Sequence, residues 1–119
     1  MFVPLNVFGP GLSIAHIGPI VINGKAKVGK NCRLHPFTTI GMDGRTDEVA
    51  IIGDDVYIST GVKIIGDIKI ADDVCLGAGA VVTKSISESG TTWAGVPAKK
   101  ISNNGSGFPK ERRGADIAK

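Results

Sequence analysis

Residues 52–82 read IGDDVYISTGVKIIGDIKIADDVCLGAGAVV. Taken in sixes, this stretch sets an aliphatic residue at Ile52, Ile58, Ile64, Ile70, Leu76 and Val82. A second small or branched residue follows four places on, at Val56, Val62, Ile68, Val74 and Ala80. A beat of six is neither the 3.6 of a helix nor the simple alternation of a long strand.

Six is the period of a parallel β-helix, in which each hexad supplies one short strand and one corner. The turn chemistry falls where corners are needed: Gly53, Asp54 and Asp55, then Gly66 and Asp67, then Asp72 and Asp73, residue types that tolerate tight or left-handed backbone. Three hexads close one coil, so residues eighteen apart stack, Ile52 on Ile70 for example. Successive coils then pair at the ordinary strand spacing of about 4.8 Å. The fold class expected is all-β, a triangular prism of stacked coils.

Composition agrees with a narrow prism filled by branched aliphatics: aromatic residues make up 5% of the 119, and there are 17 glycines. The length suits one domain, expected over residues 1–101 with a flexible basic tail over 102–119. No apolar run approaches the roughly 18 residues of a membrane span, and no charged leader with a cleavage site opens the chain, so a cytoplasmic location is expected. Two cysteines make no disulfide framework: Cys32 falls on an inward position and Cys75 on an outward one. A net charge of +3, spread along the coils apart from Lys110, Arg112 and Arg113, carries no nucleic-acid signature. Asn104-Gly105-Ser106 matches a glycosylation acceptor, which without a secretory signal is a chance match.

Upstream, residues 1–11 hold two prolines, Pro4 and Pro10, among apolar residues and read as an extended lead-in. Leu12 and Ile14 begin a first coil facing inward, and Ile22, Val28, Leu34 and Ile40 restore the beat of six. The step from Ile14 to Ile22 is eight, so two extra residues bulge out beside His16, and bulges often re-aim side chains at sites. From Met42 to Ala50 the pattern breaks into a polar run that reads as a loop extruded from the prism. It is either a carrier of binding residues or a solvated insertion. After Val82, residues 85–90 read as a turn, followed by a segment with the single tryptophan, Trp93.

The hexads, the segment Gly77-Ala78-Gly79-Ala80-Val81-Val82-Thr83-Lys84 and the segment Trp93-Ala94-Gly95-Val96-Pro97-Ala98-Lys99-Lys100 resemble the hexapeptide-repeat acyltransferases. Within these the chain is most similar to serine acetyltransferase and its relatives in surface-polysaccharide synthesis. The resemblance covers roughly residues 8–101. It implies a left-handed coil, against the general right-handed rule for parallel crossovers, and a homotrimer of parallel prisms with acetyl-coenzyme A in the groove between neighbours. The run from Gly11 through His16 to Ile22 resembles the part of those enzymes that carries the catalytic histidine.

Acetyl transfer from a thioester to a hydroxyl needs a base for the hydroxyl proton, and the chain has two histidines. The motif points to His16 as the catalytic base, the other reading being a half-buried corner histidine satisfied by a carbonyl. His35, followed by Pro36, is the alternative base or lines the acceptor pocket. For acetyl-coenzyme A, small residues at Thr60, Ala78 and Gly79 would let a pantetheine arm approach the backbone. The resemblance adds Thr83, Lys84 and Pro97, with Lys99 and Lys100 as charges for its phosphates. Trp93 packs on the adenine or caps the prism, and Lys84 and Lys99 are otherwise plain exposed lysines. The acceptor is expected to meet Asp43 and Arg45 in the loop.

In serine acetyltransferase an aspartate precedes the catalytic histidine and the loop carries a histidine beside an arginine. Here Ala15 stands at the first place, and the loop offers Arg45 with Asp43, Asp47 and Glu48. A sugar hydroxyl is therefore as fitting an acceptor as serine. No nucleophile elbow, phosphate-binding Gly-Lys-Ser/Thr loop or metal-spaced Cys/His pair is present, so no metal is expected. A β-helix that has lost catalysis and serves as a scaffold is the non-enzymatic alternative.

Overall fold

A computed structural model describes residues 3–4, 6–16 and 18–106. The chain winds as a left-handed parallel β-helix. Its strands among the described residues are β1 (Ser13–Ile14), β2 (Val21–Ile22), β3 (Lys27–Val28), β4 (Arg33–Leu34), β5 (Thr39–Gly41), β6 (Ile51–Ile52), β7 (Tyr57–Ile58), β8 (Lys63–Ile65), β9 (Lys69–Ile70), β10 (Cys75–Leu76), β11 (Val81–Val82), β12 (Thr92–Ala94) and β13 (Lys99–Ser102). They form three faces: β1-β4-β7-β10-β12-β13, then β2-β5-β8-β11, then β3-β6-β9. The chain visits first, second and third face in turn, which is the prism expected from the period of six.

Each strand is short because its second residue must point inward before the corner begins. Ile52 pairs in register with Ile70, Ile58 with Leu76 and Ile64 with Val82. All six of these side chains are buried, as are Val56, Val62, Ile68, Val74 and Ala80 between them. The inward grid is thus a single column of aliphatic contacts, and its neighbours Lys27, Lys63 and Lys69 point outward.

The edge between third and first faces turns through Asn31, Asp55 and Asp73, with φ of 61°, 59° and 58°. Asn and Asp adopt this left-handed region more readily than other side chains. Their polar groups also tie coil to coil. The Asp54 carboxylate accepts from the Lys30 N–H at 2.9 Å, Asp72 from the Asp54 N–H at 2.7 Å, and Asp55 from the buried Asn31 amide at 2.9 Å.

Several expectations need correction. Ile14 lies in register with Leu34 yet is 37% exposed, because β1 is the end strand of its face and no strand lies beyond it. The extruded loop closes earlier than expected: residues 42–48 are exposed, whereas Val49 and Ala50 have already returned to the core. The stretch 85–90 is more than a turn, since Ile86 is buried and bridges Ile70 as a further layer of the third face. Cys75 stands on the outward side of β10 as expected and is half-buried there.

Structure also continues past residue 101. β13 returns antiparallel on β12, the Thr92 hydroxyl donates to the Asn104 carbonyl at 2.6 Å, and Asp73 accepts from the Ser106 N–H at 3.1 Å and O–H at 2.7 Å. Asn104-Gly105-Ser106 is therefore laid against the prism. The basic cluster Lys110, Arg112 and Arg113 lies outside the described residues.

Ile70→Ala should lower the unfolding free energy by about 2–5 kcal/mol through the cavity it leaves, whereas Lys69→Ala beside it should stay within about 0.5 kcal/mol. Denaturant titration of both variants checks the inward–outward assignment.

Candidate active site

The edge between first and second faces gathers most of the candidate residues. His16 follows β1, His35-Pro36-Phe37 follow β4, Thr60-Gly61 follow β7, Ala78-Gly79 follow β10, and Gly95 follows β12. From the coil of His16 to that of Gly95 is four steps along the first face, roughly 19 Å at the strand spacing. Within residues 15–20, 35–38, 59–62 and 77–80 there is no Asp, Glu, Lys or Arg.

This edge turns through left-handed backbone at Phe37, Gly61, Gly79 and Gly95, with φ of 65°, 75°, 73° and 98°. A Cβ on Gly79 would meet no atom within 4 Å, so the coil there opens directly to a ligand's approach. Phe37 is the exception, a bulky side chain held in this region and 56% exposed. Its carbonyl and that of Gly61 accept hydrogen bonds from the Lys63 ammonium at 2.5 and 3.2 Å, and the Pro36 carbonyl accepts from the Thr60 hydroxyl at 3.0 Å. Those bonds hold the strained corner in place.

At the lower end of the edge the two histidines come together. Their ring centroids are 6.1 Å apart, tilted by 55°. His16 is exposed, and no hydrogen bond to its ring is seen among the described residues. The expectation of a corner histidine satisfied by a carbonyl fits His35 instead: its Nδ1 lies 3.0 Å from the Ile58 carbonyl oxygen. The other nitrogen, Nε2, lies 3.3 Å from the hydroxyl of Tyr57, whose ring is centred 5.1 Å away. Sequence reasoning missed Tyr57. It stands on an outward hexad position, and the one available sign was an aromatic side chain directly after the inward Val56 in the coil above His35.

A second cluster lies at the opposite end of the prism. An open cleft of about 300 Å³ is lined by Val82, Thr83, Lys84, Trp93, Pro97 and Lys99, among others. Trp93 sits in register with Leu76 and packs on the core, its indole N–H donating to the Thr91 hydroxyl at 2.9 Å. It therefore caps the prism and walls the cleft at once. Lys100 is turned away into a 2.7 Å ion pair with Glu88.

Asp43 and Arg45 join neither cluster. Their loop leaves between β5 and β6, on the edge between second and third faces. The Asp43 carboxylate accepts from the backbone N–H groups of Arg45 and Thr46, which holds it below the usual carboxylate range. Lys25 pins the loop's far side through Asp47 at 3.1 Å, lowering that carboxyl as well. Within one chain these residues cannot reach His16.

Among the described residues no three His, Cys, Asp or Glu side chains converge as a metal set would require, and no helix is long and apolar enough to cross a membrane. Cys32 is inward, and burial pushes its thiol up to about 12. Partial burial raises Cys75 too.

The β-helix of six-residue repeats thus carries an uncharged edge with paired imidazoles and, at its far end, a cleft with two lysines. The family described as Bacterial transferase hexapeptide (six repeats) matches residues 50–84. The chain is 35% identical over 100 residues to the serine acetyltransferase of Mycobacterium tuberculosis strain H37Rv, a match covering 82% of this chain and 43% of that protein. Among solved structures, serine acetyltransferase in complex with coenzyme A from Brucella abortus strain S19 superposes with a TM-score of 0.79 at 34% identity, covering 83% of this chain and 40% of that one. A serine acetyltransferase complex with cysteine gives 0.71 at 26% identity over 76% of this chain and 38% of that one. The chain is thus similar to the serine acetyltransferases in its hexapeptide repeats, and it spans less than half the length of these relatives.

Thiol chemistry separates the two cysteines. At about pH 8 an aromatic disulfide reagent should modify Cys75 slowly and leave Cys32 untouched until the chain is unfolded, because the thiolate is the reacting form. Rapid labelling of both in the native protein would contradict the burial of Cys32.

Proposed function

We propose that this chain is an acetyl-coenzyme A-dependent O-acetyltransferase whose general base is His16. The observation that carries the reading is the edge on which paired imidazoles and small residues follow one another, with a lysine-bearing cleft at the far end of the prism. Thr60, Ala78 and Gly79 leave room for an extended pantetheine arm along that edge. Thr83, Lys84 and Lys99 at the cleft offer a hydroxyl and two cations to its phosphates, with Pro97 and Trp93 as apolar walls for the nucleotide. A relative solved in complex with coenzyme A supports this choice of cofactor.

In the reaction, the acceptor hydroxyl oxygen attacks the thioester carbonyl carbon while the His16 imidazole takes its proton. The tetrahedral intermediate collapses, the carbon–sulfur bond breaks, and the imidazolium returns its proton to the departing thiolate. A base so placed is worth about 10² to 10⁴ in rate.

The acceptor is a hydroxyl of a sugar or glycan precursor, or serine. The charge-free corners around His16 support a neutral hydroxyl donor, with Arg33 on the adjoining face, its Nε buried without a hydrogen-bond partner, as the cation nearest in register to Tyr57. A homotrimer in a cytoplasmic setting completes the reading. The edge is open on one side, and a neighbouring copy would both wall it and bring a loop with Asp43 and Arg45 toward the acceptor.

His16→Ala should cut turnover by about 10² to 10⁴ while calorimetric binding of coenzyme A stays within roughly two-fold of the parent, because the base acts on the acceptor proton rather than on the cofactor's phosphates. Coenzyme A binding by the parent without thiol release across sugar and serine acceptors would favour a scaffold over an enzyme.

A further inference from the structure

We propose that Tyr57 is a positioning residue of the acceptor site, acting through His35, an inference that rests on the transferase reading above. A carbonyl oxygen can only accept, so the 3.0 Å contact between His35 Nδ1 and the Ile58 carbonyl requires the proton on Nδ1. The neutral ring then presents Nε2 as an acceptor. Tyr57 meets it from 3.3 Å with its hydroxyl as donor.

Both nitrogens are thereby held. Turning the ring over would break the bond to Ile58 and the bond to Tyr57 together. His35 is a fixed wall, whereas His16, 6.1 Å away and without such bonds among the described residues, is the imidazole left free to meet substrate. An acceptor hydroxyl entering between them is placed by the fixed ring and deprotonated by the free one. The tyrosine hydroxyl touches neither His16 nor the edge carrying Thr60 and Gly79 by any hydrogen bond among the described residues, so its effect passes through His35.

The backbone supports the same division. β7 carries both members of the clamp, Tyr57 outward and the Ile58 carbonyl behind it, and it pairs in register with β4, the strand that leads into His35. Because the Ile58 side chain is buried in the central column, the carbonyl cannot drift without moving the core. Tyr57 is the adjustable half of the clamp.

Tyr57→Phe removes one oxygen and keeps the ring. It should raise the acceptor KM or lower kcat by about three- to ten-fold, the range for one neutral hydrogen bond, with the KM for acetyl-coenzyme A and the thermal midpoint unchanged. His35→Ala and the double variant His35→Ala/Tyr57→Phe should then be kinetically alike, since removing His35 removes what Tyr57 acts on. With two histidines in the chain, ¹⁵N spectra assigned through His16→Ala give a readout independent of activity. His35 should show the Nδ1–H tautomer in the parent and mixed tautomers in Tyr57→Phe.

Additive effects in the double variant, or a parent-like His35 tautomer and acceptor KM in Tyr57→Phe, would overturn the proposal. A loss of thermal stability without a kinetic split would also overturn it, assigning Tyr57 to packing. Absence of transfer by the parent with every acceptor would instead sink the transferase reading, and the nitrogen spectra would still decide whether Tyr57 sets the His35 tautomer.

Discussion

The structure depends on coil-to-coil hydrogen bonding that keeps one aliphatic side chain per strand in a central column. Each coil rises by one strand spacing, about 4.8 Å, so whatever stands on an edge in one coil is repeated one step above by its counterpart. Ile58 on Leu76 and Ile64 on Val82 fix this register, and burying each such side chain contributes roughly 1.5–3 kcal/mol. Because the inward column sets the register, the outward rows and corners are free to carry other chemistry.

The three edges have diverged accordingly. The edge through Asn31, Asp55 and Asp73 is a ladder of carboxylate and amide bonds that ends by anchoring Ser106, so its polar groups are used for holding coils together. The edge between second and third faces carries the extruded loop, tethered by Lys25 and Asp47. The histidine edge alone combines glycine corners with an uncharged surface. There, Lys63 neutralises corner carbonyls rather than pointing into the open, which leaves the track apolar and its backbone approachable. The imidazoles and small residues of the proposed track lie on this edge, whereas the other two carry the coil-to-coil ladder and the tethered loop.

The inward grid was readable in the sequence because burial imposes a strict period, and each of the beats from Ile22 to Val82 is buried. Reading failed where the step changes. Ile86 comes four residues after Val82 instead of six, Ala50 re-enters directly behind a polar loop, and the antiparallel return of β13 follows a hairpin rather than a hexad. His16, His35, Thr60, Ala78 and Gly79 were legible as candidates, and the structure places them on one edge. The pairing of His35 with Tyr57 was not, since outward residues carry no periodic constraint, and two residues twenty-two apart meet only if the loop between them is subtracted from the register.

The meeting of the two imidazoles follows from a local mismatch between coils. Ser13 pairs with Arg33, twenty residues on, where an undisturbed coil such as Tyr57 to Cys75 needs eighteen. Ala15 donates its N–H to the Leu34 carbonyl at 2.9 Å, and farther on the Pro19 carbonyl accepts from the Phe37 N–H. Ala15 thus stands level with His35 and Pro19 with Phe37, so the lower coil has residues 16–18 where the upper has Pro36 alone. The surplus must be accommodated beside Pro36, and a Cβ on Gly18 would come within 2.6 Å of the Pro36 Cβ. The missing side chain at Gly18 therefore lets the bulge tuck under the proline. His16 then projects at the level of His35 instead of folding inward, so the irregularity in the repeat and the chemistry of the edge have one physical origin.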